Sequence, residues 1–444
     1  MKQTRAFFNR FSIGVTALWL LLFALLPNIG LLVVTVLTRG EQDFVLPQFT
    51  LDNYLRLLDP TFLKILWESL WLAFMSTLAC LLVGYPFAYR IARASAKMKP
   101  WLLLLVIIPF WTNSLIRTYA LILILKANGL ISTLLVWLGV TEQPVSFMYG
   151  DFAVFMGVLY TFLPFMVLPL YASIEKLDSR LLDAARDLGA SGFQSFWHVT
   201  FPLTLPGIIA GSMLVFLPSL GAFYIPEILG GAKSMLIGNF IKNQFMVARD
   251  WPLGAAASTI LTLLLALLIA VYRMANRKVA SHGRGGVMMR KLGKLWLWIV
   301  YAFLFLPIFV VIAYSFNAAK YTSAWKGFTL KWYSQLFGNA ALIDAVVNTL
   351  TVAALAASLA TLLGVLAALC LKRTEFPGRQ LLHASLYVLT VSPEMVMGIS
   401  LLIFFISVKL PLGFVSMLIA HTTLGLPFVA LTVLARLAEF DEHL

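Results

Sequence analysis

Charge and reactive side chains are scarce in this 444-residue sequence: Lys, Arg, Asp and Glu together make 12% of it, with two cysteines and five histidines. That charge content, beside 61% hydrophobic residues, excludes an ordinary soluble domain. Cys80 and Cys370 both lie inside apolar runs, so they read as buried packing residues and no disulfide framework is expected. No Gly-x-x-x-x-Gly-Lys-Ser/Thr phosphate loop occurs, which places any nucleotide hydrolysis on a separate protein. A nucleophile elbow and a metal-ligand cluster are missing too, and the scattered His198, His383 and His421 read as structural. The sequence therefore predicts no catalytic residue, no metal site and no cofactor.

Long apolar runs are what the sequence does have. They fall at 11–38, 69–89, 101–125, 152–174, 203–226, 251–272, 295–319, 345–371, 380–408 and 410–435. Each reaches the roughly 20 residues that a helix needs to cross hydrocarbon. Backbone groups in lipid must be satisfied internally, and barrel strands are about half as long, so an all-α polytopic membrane protein is expected. The first run follows Lys2, Arg5 and Arg10 and spans 28 residues without a small-residue cleavage site, which makes it an uncleaved span rather than a signal peptide.

The formal net charge is +14. With the N-terminus in the cytoplasm, the segments 1–11, 89–100, 174–200, 273–294 and 372–379, plus Arg436, carry 21 of the 33 Lys and Arg. That is the positive-inside bias, so the basicity reports orientation across a bilayer and no nucleic-acid partner is expected.

The chain also repeats itself. Phe49-Thr50-Leu51 with Tyr54 returns as Phe328-Thr329-Leu330 with Tyr333, and Gly84 returns as Gly364. Leu163-Pro164-Phe165, leading to Asp178 and Leu181, returns as Leu426-Pro427-Phe428, leading to Asp441 and Leu444. Two related halves are expected, 1–280 and 294–444, with a transport pathway between them. A basic cytoplasmic linker, 281–293, joins them; Ser281–Gly286 is its flexible part, and Met288 resembles the start of a once separate subunit. The first half holds six spans and the second about four, so the second half is expected to stop before its own copy of the polar segment at 178–208 and two further helices.

That polar segment interrupts an otherwise greasy chain. Asp178 or Ser179 can cap a short helix in which Leu181, Leu182 and Ala185 share an apolar face, with Arg180, Asp183, Arg186 and Asp187 polar. Gly189 is placed to end it in a left-handed conformation. Ala184 and Ala185 admit a second backbone closely, and Pro202, Pro206 and Gly207 are expected to break the chain and re-aim it into the next span. On physical grounds the segment is either an amphipathic surface loop or a docking handle for a soluble partner.

Asp183-Ala184-Ala185 with Gly189, followed nine residues later by Val199-Thr200-Phe201-Pro202, resembles the EAA loop of ABC-importer permeases. Asp replaces the usual Glu with its charge kept, and Val199 and Phe201 keep the apolar character of Ile and Leu. The resemblance extends through FTLDNYLRLLDP, IIPFWTNSLIRTYA, GGAKSMLIGN and SPEMVMGISLL to the permeases of spermidine/putrescine importers, the first half to one subunit and 288–444 to an incomplete second. It implies a type I importer (MetI-like) permease fold in a bacterial inner membrane. It also implies that Asp183, Ala184, Ala185, Gly189 and Pro202 belong to the loop gripped by a cytoplasmic ABC ATPase dimer. The other implied partners are a periplasmic polyamine-binding protein and a further permease chain supplying the missing part.

Ionisable groups inside spans are costly and are candidates for function. Glu394, after Pro393 within 380–408, reads as a cation site or as a charge paired inside the bundle. Glu227, with Tyr224, sits at the end of the fifth span and reads equally as a solvated loop charge. Trp111 and Trp332 could hold a polyamine's charge and methylenes by cation–π contact, or belong to an interface belt. Trp111 and Glu394 are expected to face one pathway from opposite halves. Arg117 reads as an interhelical partner or an interface anchor, because it repels a cationic cargo. An importer of another solute, such as iron or sulfate, is the alternative within the class. An ion-coupled secondary transporter is the alternative outside it; that reading predicts unwound mid-membrane segments and no use for the 178–191 loop.

Overall fold

The computed structural model describes residues 2–40, 44–231, 234–276, 292–319, 325–391 and 393–439. The linker as far as residue 291, and the repeat partners Asp441 and Leu444, lie outside the described residues. Helix α1 (Lys2–Leu20), one π-helical turn and α2 (Leu26–Val34) form the first span. A small antiparallel pair, β1 (Leu37–Thr38) and β2 (Leu46–Phe49), leads to α3 (Asp52–Arg56) and the long α4 (Pro60–Ala92). There follow α5 (Lys99–Trp111), α6 (Ser114–Leu125), α7 (Leu130–Trp137) and α8 (Asp151–Glu175). The polar segment supplies α9 (Ser179–Asp187) and α10 (Gly192–Ser195), and α11 (Phe201–Gly221), α12 (Ile237–Met246) and α13 (Trp251–Asn276) complete the first half. The second half holds α14 (Leu292–Ser315), α15 (Lys331–Phe337), α16 (Ala340–Arg373), α17 (Arg379–Val391), α18 (Glu394–Ser407) and α19 (Phe414–Glu439). Among the described residues nine helices are long and apolar enough to cross a bilayer, or ten if the bent pair α17–α18 is one span.

Two expected spans are not continuous. The run 101–125 breaks at Thr112 and Asn113, where Thr112 is extended (ψ 144°) and the Asn113 side chain caps α6 by accepting from Leu115 N–H at 2.9 Å. The run 380–408 bends by 114° between α17 and α18, with Pro393 as the N-cap of α18. Proline disfavours helical backbone in the residue before it, so a helix stops there readily. Apolar runs fix burial in lipid but do not report such breaks, because neither changes hydropathy.

The repeat is exact in register over much of its length. Helices α4 and α16 begin 280 residues apart (Pro60, Ala340), as do α5 and α17 (Lys99, Arg379) and α6 and α18 (Ser114, Glu394). Gly84 faces Met166, Leu163 and Val167 of α8, and Gly364 faces Val429 and Ala430 of α19. Small residues of this kind let backbones approach where lipid offers no hydrophobic drive for helix association.

Packing sorts the helices differently from chain order. One unit comprises 60–240 and 267–332, the core of the first half with α14. Here α14 packs on α4, α5 and α6. It is tied by Tyr301 OH donating to Leu102 O (2.5 Å), Trp296 Nε1 to Val83 O (3.1 Å) and Tyr160 OH to Leu304 O (3.0 Å). The other unit comprises 1–59, 241–266 and 333–444, in which α1 and α2 pack on α16, α17 and α18. Its core joins Leu20 and Ala24 to Leu363, Leu386, Met397 and Leu426, and Trp19 Nε1 donates to Thr423 Oγ1 at 3.2 Å. The first helix of each half thus belongs to the unit built on the other half's core.

In the first unit α11 lies against α8 through Gly207 and Gly211, where added Cβ atoms would sit 2.7 Å from Pro169 O and 2.8 Å from Met166 Sδ. Gly207→Ala should therefore destabilise the protein by about 1–3 kcal/mol through overpacking, seen as a lower unfolding temperature in detergent. Gly14→Ala, whose added carbon meets nothing within 4 Å, should leave that temperature unchanged; equal effects of the two would refute the contact.

Candidate functional site

The polar segment folds into two capped helices. Asp178 accepts Arg180 N–H at 3.0 Å and opens α9. Gly189 closes it at φ +83°, with Gly189 N–H on Arg186 O (2.8 Å) and Ala190 N–H on Ala185 O (2.9 Å). This paired closure needs a left-handed residue, which glycine supplies without a Cβ penalty. Ser191 and Gln194 then form a reciprocal capping box around α10, at 3.3 and 2.8 Å.

The expected break at Pro202, Pro206 and Gly207 does not occur. Residues 192–221 run as one helical element, through a π-helical turn at Phe196–Thr200 into α11. A proline within a helix clashes with the carbonyl four residues earlier, and the wider π turn makes room for it. Pro202 falls in the first turn of α11, and Gly207 serves as the contact with α8 rather than as a hinge.

Leu182 is buried and Ala185 half-buried, whereas Asp183, Ala184 and Leu181 are exposed, so the apolar face is split between an inner and an outer side. Asp183 pairs with Arg186 at 3.2 Å across one turn; both are exposed, and such a pair contributes little. Two apolar side chains that the sequence reading passed over stand out here: Leu188 is 88% and Phe193 74% exposed. With Leu181 and Trp197 they leave an apolar patch on an otherwise polar segment, and such patches mark interaction sites. Their signal in the sequence was an aromatic and a leucine flanking a helix-stop glycine inside a charged stretch.

The pathway candidates divide between the units: Trp111, Tyr224, Glu227 and Trp332 fall in the first and Glu394 in the second. Trp111 is the exposed last residue of α5, one step before the break at Thr112, whose hydroxyl donates to Pro109 O at 2.6 Å. Six residues on, the Arg117 side chain is buried at 4% exposure, with its Cζ 5.8 Å from the centre of the Tyr160 ring on α8. Arg117 is thus the interhelical partner that the sequence suggested. Tyr224 also lies within electrostatic range of that guanidinium. Glu227 is exposed on the π-helical turn Pro226–Gly230, which packs against α6 and α8. Trp332 commits its indole N–H to Asn317 O (2.7 Å), inside a turn where Asn317 Oδ1 also accepts from Ala319 and Lys326 N–H. Glu394 is exposed in the first turn of α18, where a carboxylate is favoured by the helix dipole. Among the described residues no group of three His, Cys, Asp or Glu could hold a metal ion.

Residues 81–281 match the family model described as "Binding-protein-dependent transport system inner membrane component". The chain is 50% identical over 285 residues to the spermidine/putrescine transport system permease protein PotB of Salmonella typhimurium (strain SL1344), covering 63% of this chain and 99% of that protein. It is 43% identical over 148 residues to the permease protein PotC of the Haemophilus influenzae spermidine/putrescine system, covering 33% of this chain and 58% of that relative's length. In fold it is similar to a chain in the crystal structure of a bacterial alginate ABC transporter in complex with alginate pentasaccharide-bound periplasmic protein. There the TM-score is 0.53 at 17% identity, covering 63% of this chain and 98% of that one.

The cap at Gly189 can be tested by itself. An added Cβ meets nothing within 4 Å, so Gly189→Ala should cost about 1–2 kcal/mol of left-handed strain alone. Amide hydrogen exchange should then speed up over 179–190 and stay unchanged elsewhere; unaltered exchange in that stretch would remove the glycine from its capping role.

Proposed function

The chain belongs to the binding-protein-dependent transport permeases, the inner-membrane components of ABC importers, and on that footing we propose that its cargo is a polyamine, spermidine or putrescine. The observation that carries the reading is the 178–208 segment: a capped helix, α9, beside an apolar patch, packed on α10, which runs without a break into a span. A push on α9 passes through α10 and the π turn into α11, and through the Gly207 and Gly211 contacts into α8. That is the mechanical path a nucleotide-driven partner requires.

In this reading a cytoplasmic ABC ATPase dimer grips Asp183, Ala184, Ala185, Gly189 and the exposed Leu188 and Phe193. The N-terminus and the 178–208 loop face the cytoplasm, as the Lys and Arg distribution favours. A periplasmic polyamine-binding protein delivers cargo. The chain carries out no chemistry itself; hydrolysis belongs to the ATPase. Glu394 and Glu227 offer carboxylates to ammonium groups, with Trp111 and Tyr224 offering aromatic faces. An importer of anions such as sulfate would present basic groups at those places.

The interrupted helices α5–α6 and α17–α18 suit an ion-coupled secondary transporter as well. Such a protein has no use for a docking helix with an exposed apolar patch, so the importer reading accounts for more of the molecule.

Proteoliposomes holding the assembled transporter should take up labelled spermidine and putrescine only with ATP; uptake driven by an ion gradient without ATP would overturn the reading. Ala185→Glu and Leu188→Glu should each abolish co-purification of the ATPase while membrane insertion stays normal. Retention of the ATPase at full yield would sink the docking role. Glu394→Gln removes a charged partner contributing about 1.5–3 kcal/mol, so uptake should fall on the order of tenfold or more with folding preserved. Unchanged uptake kinetics would take Glu394 out of the pathway.

A further inference from the structure

Among the described residues Arg117 is the one buried charged side chain of the first unit, and its contact with α8 brings it no acidic partner. Its side chain is 4% exposed, and its Nε has no hydrogen-bond partner among the described residues. No carboxylate pairs with it there; its neighbours of complementary character are the Tyr160 ring, 5.8 Å from Cζ, and Tyr224, within electrostatic range. A cation–π contact offsets only part of the cost of burying a guanidinium. The position makes matters worse, because Arg117 donates its backbone N–H to the capping residue Asn113, close to the positive end of α6.

The fold does not need a cation at this place. The residue 280 positions later, in the matching turn of α18, is Met397, which is fully buried and uncharged. The same scaffold therefore closes with a thioether where Arg117 brings a charge. A buried ionisable group retained against such a cost points to function.

What surrounds Arg117 indicates which function. Two interruptions of regular helix come near it: the break at Thr112–Asn113, whose Asn113 carbonyl accepts its backbone N–H, and the departure from α11 at Ala222, which leads to Tyr224, within electrostatic range of the guanidinium, and to the turn 226–230 packed on α6. Irregular backbone at membrane depth is tolerated where it is enclosed by protein or lines a passage. Tyr160 is fixed by its bond to Leu304 O, so its ring holds the guanidinium in place.

We propose that Arg117 is a fixed positive barrier that keeps the resting permease tight to small inorganic cations such as K+. A fixed charge of this sign repels each small cation as it passes. A polyamine differs because its ammonium groups are separated by methylenes, so an uncharged segment can lie beside the guanidinium while its charges sit on either side. Arg117 is a specificity-determining residue in this account, not a ligand for the cargo. The proposal rests on the polyamine-importer reading for what is let through.

The test uses the assembled transporter in potassium-loaded proteoliposomes without ATP. Arg117→Met, copying the other half, should raise K+ efflux by about tenfold or more, and Arg117→Lys should stay near the wild-type rate. K+ efflux unchanged in Arg117→Met, or raised equally in Arg117→Lys, would overturn the barrier. If Arg117→Met does not fold, the wild-type protein decides: its residual conductance should favour chloride over K+, and a preference for K+ would overturn the proposal. ATP-driven spermidine uptake is measured on the same vesicles, so that its absence strikes the polyamine reading while the leak alone judges Arg117.

Discussion

Met166 of α8 lies between two glycines, Gly84 of α4 and Gly211 of α11, and the arrangement of the first unit follows from that contact. In hydrocarbon, helices gain nothing by hiding apolar surface from one another, so close backbone approach has to supply the packing. Glycine at both contacts lets α4 and α11 close on α8 from two sides. Once α8 is held this way, its Gly157 admits Ile225 and Leu229 from the turn after α11, and its Tyr160 reaches both Arg117 and α14. Contacts along a single helix thus link the docking loop, the interrupted α5–α6 pair and the helix borrowed from the other half.

The exchange of first helices has a mechanical meaning. Helix α14 is hydrogen-bonded to α4, α5 and α8, and α1 and α2 are packed on α16, α17 and α18. Each core therefore packs against a helix that the sequence assigns to the other half. In the first unit the helix that follows the polar segment, α11, packs on α8, and α8 is bonded in turn to α14.

Much of this was legible in the residues. The polar segment's Asp178 cap and its glycine stop follow from local rules that involve only neighbouring residues, and both are present as expected. The sequence repeat was visible because Gly84 and Gly364 sit at matching contacts, with α8 and with α19, although the packing units do not follow the expected division of the chain into halves. The continuity of α10 into α11 was not visible, because a proline suggests a break unless a π turn accommodates it, and that turn has no sequence signature of its own. The exposed Leu188 and Phe193 were passed over because apolar residues in a membrane protein draw no notice until their surroundings are known.

The sequence by itself determined that the chain is helical, that it crosses a membrane many times, which segments carry charge, and where the capped polar segment lies. Those properties depend on hydropathy, on capping residues and on short motifs, all of which act within a few turns of chain. Only the tertiary structure decided which unit each half's first helix joins, where α5–α6 and α17–α18 break, and that Arg117 is buried over Tyr160 without an acidic partner among the described residues. Those outcomes depend on shape at contacts between segments up to some 400 residues apart, such as Trp19 on Thr423. Among helices of nearly equal hydropathy, only fit at such contacts distinguishes one neighbour from another.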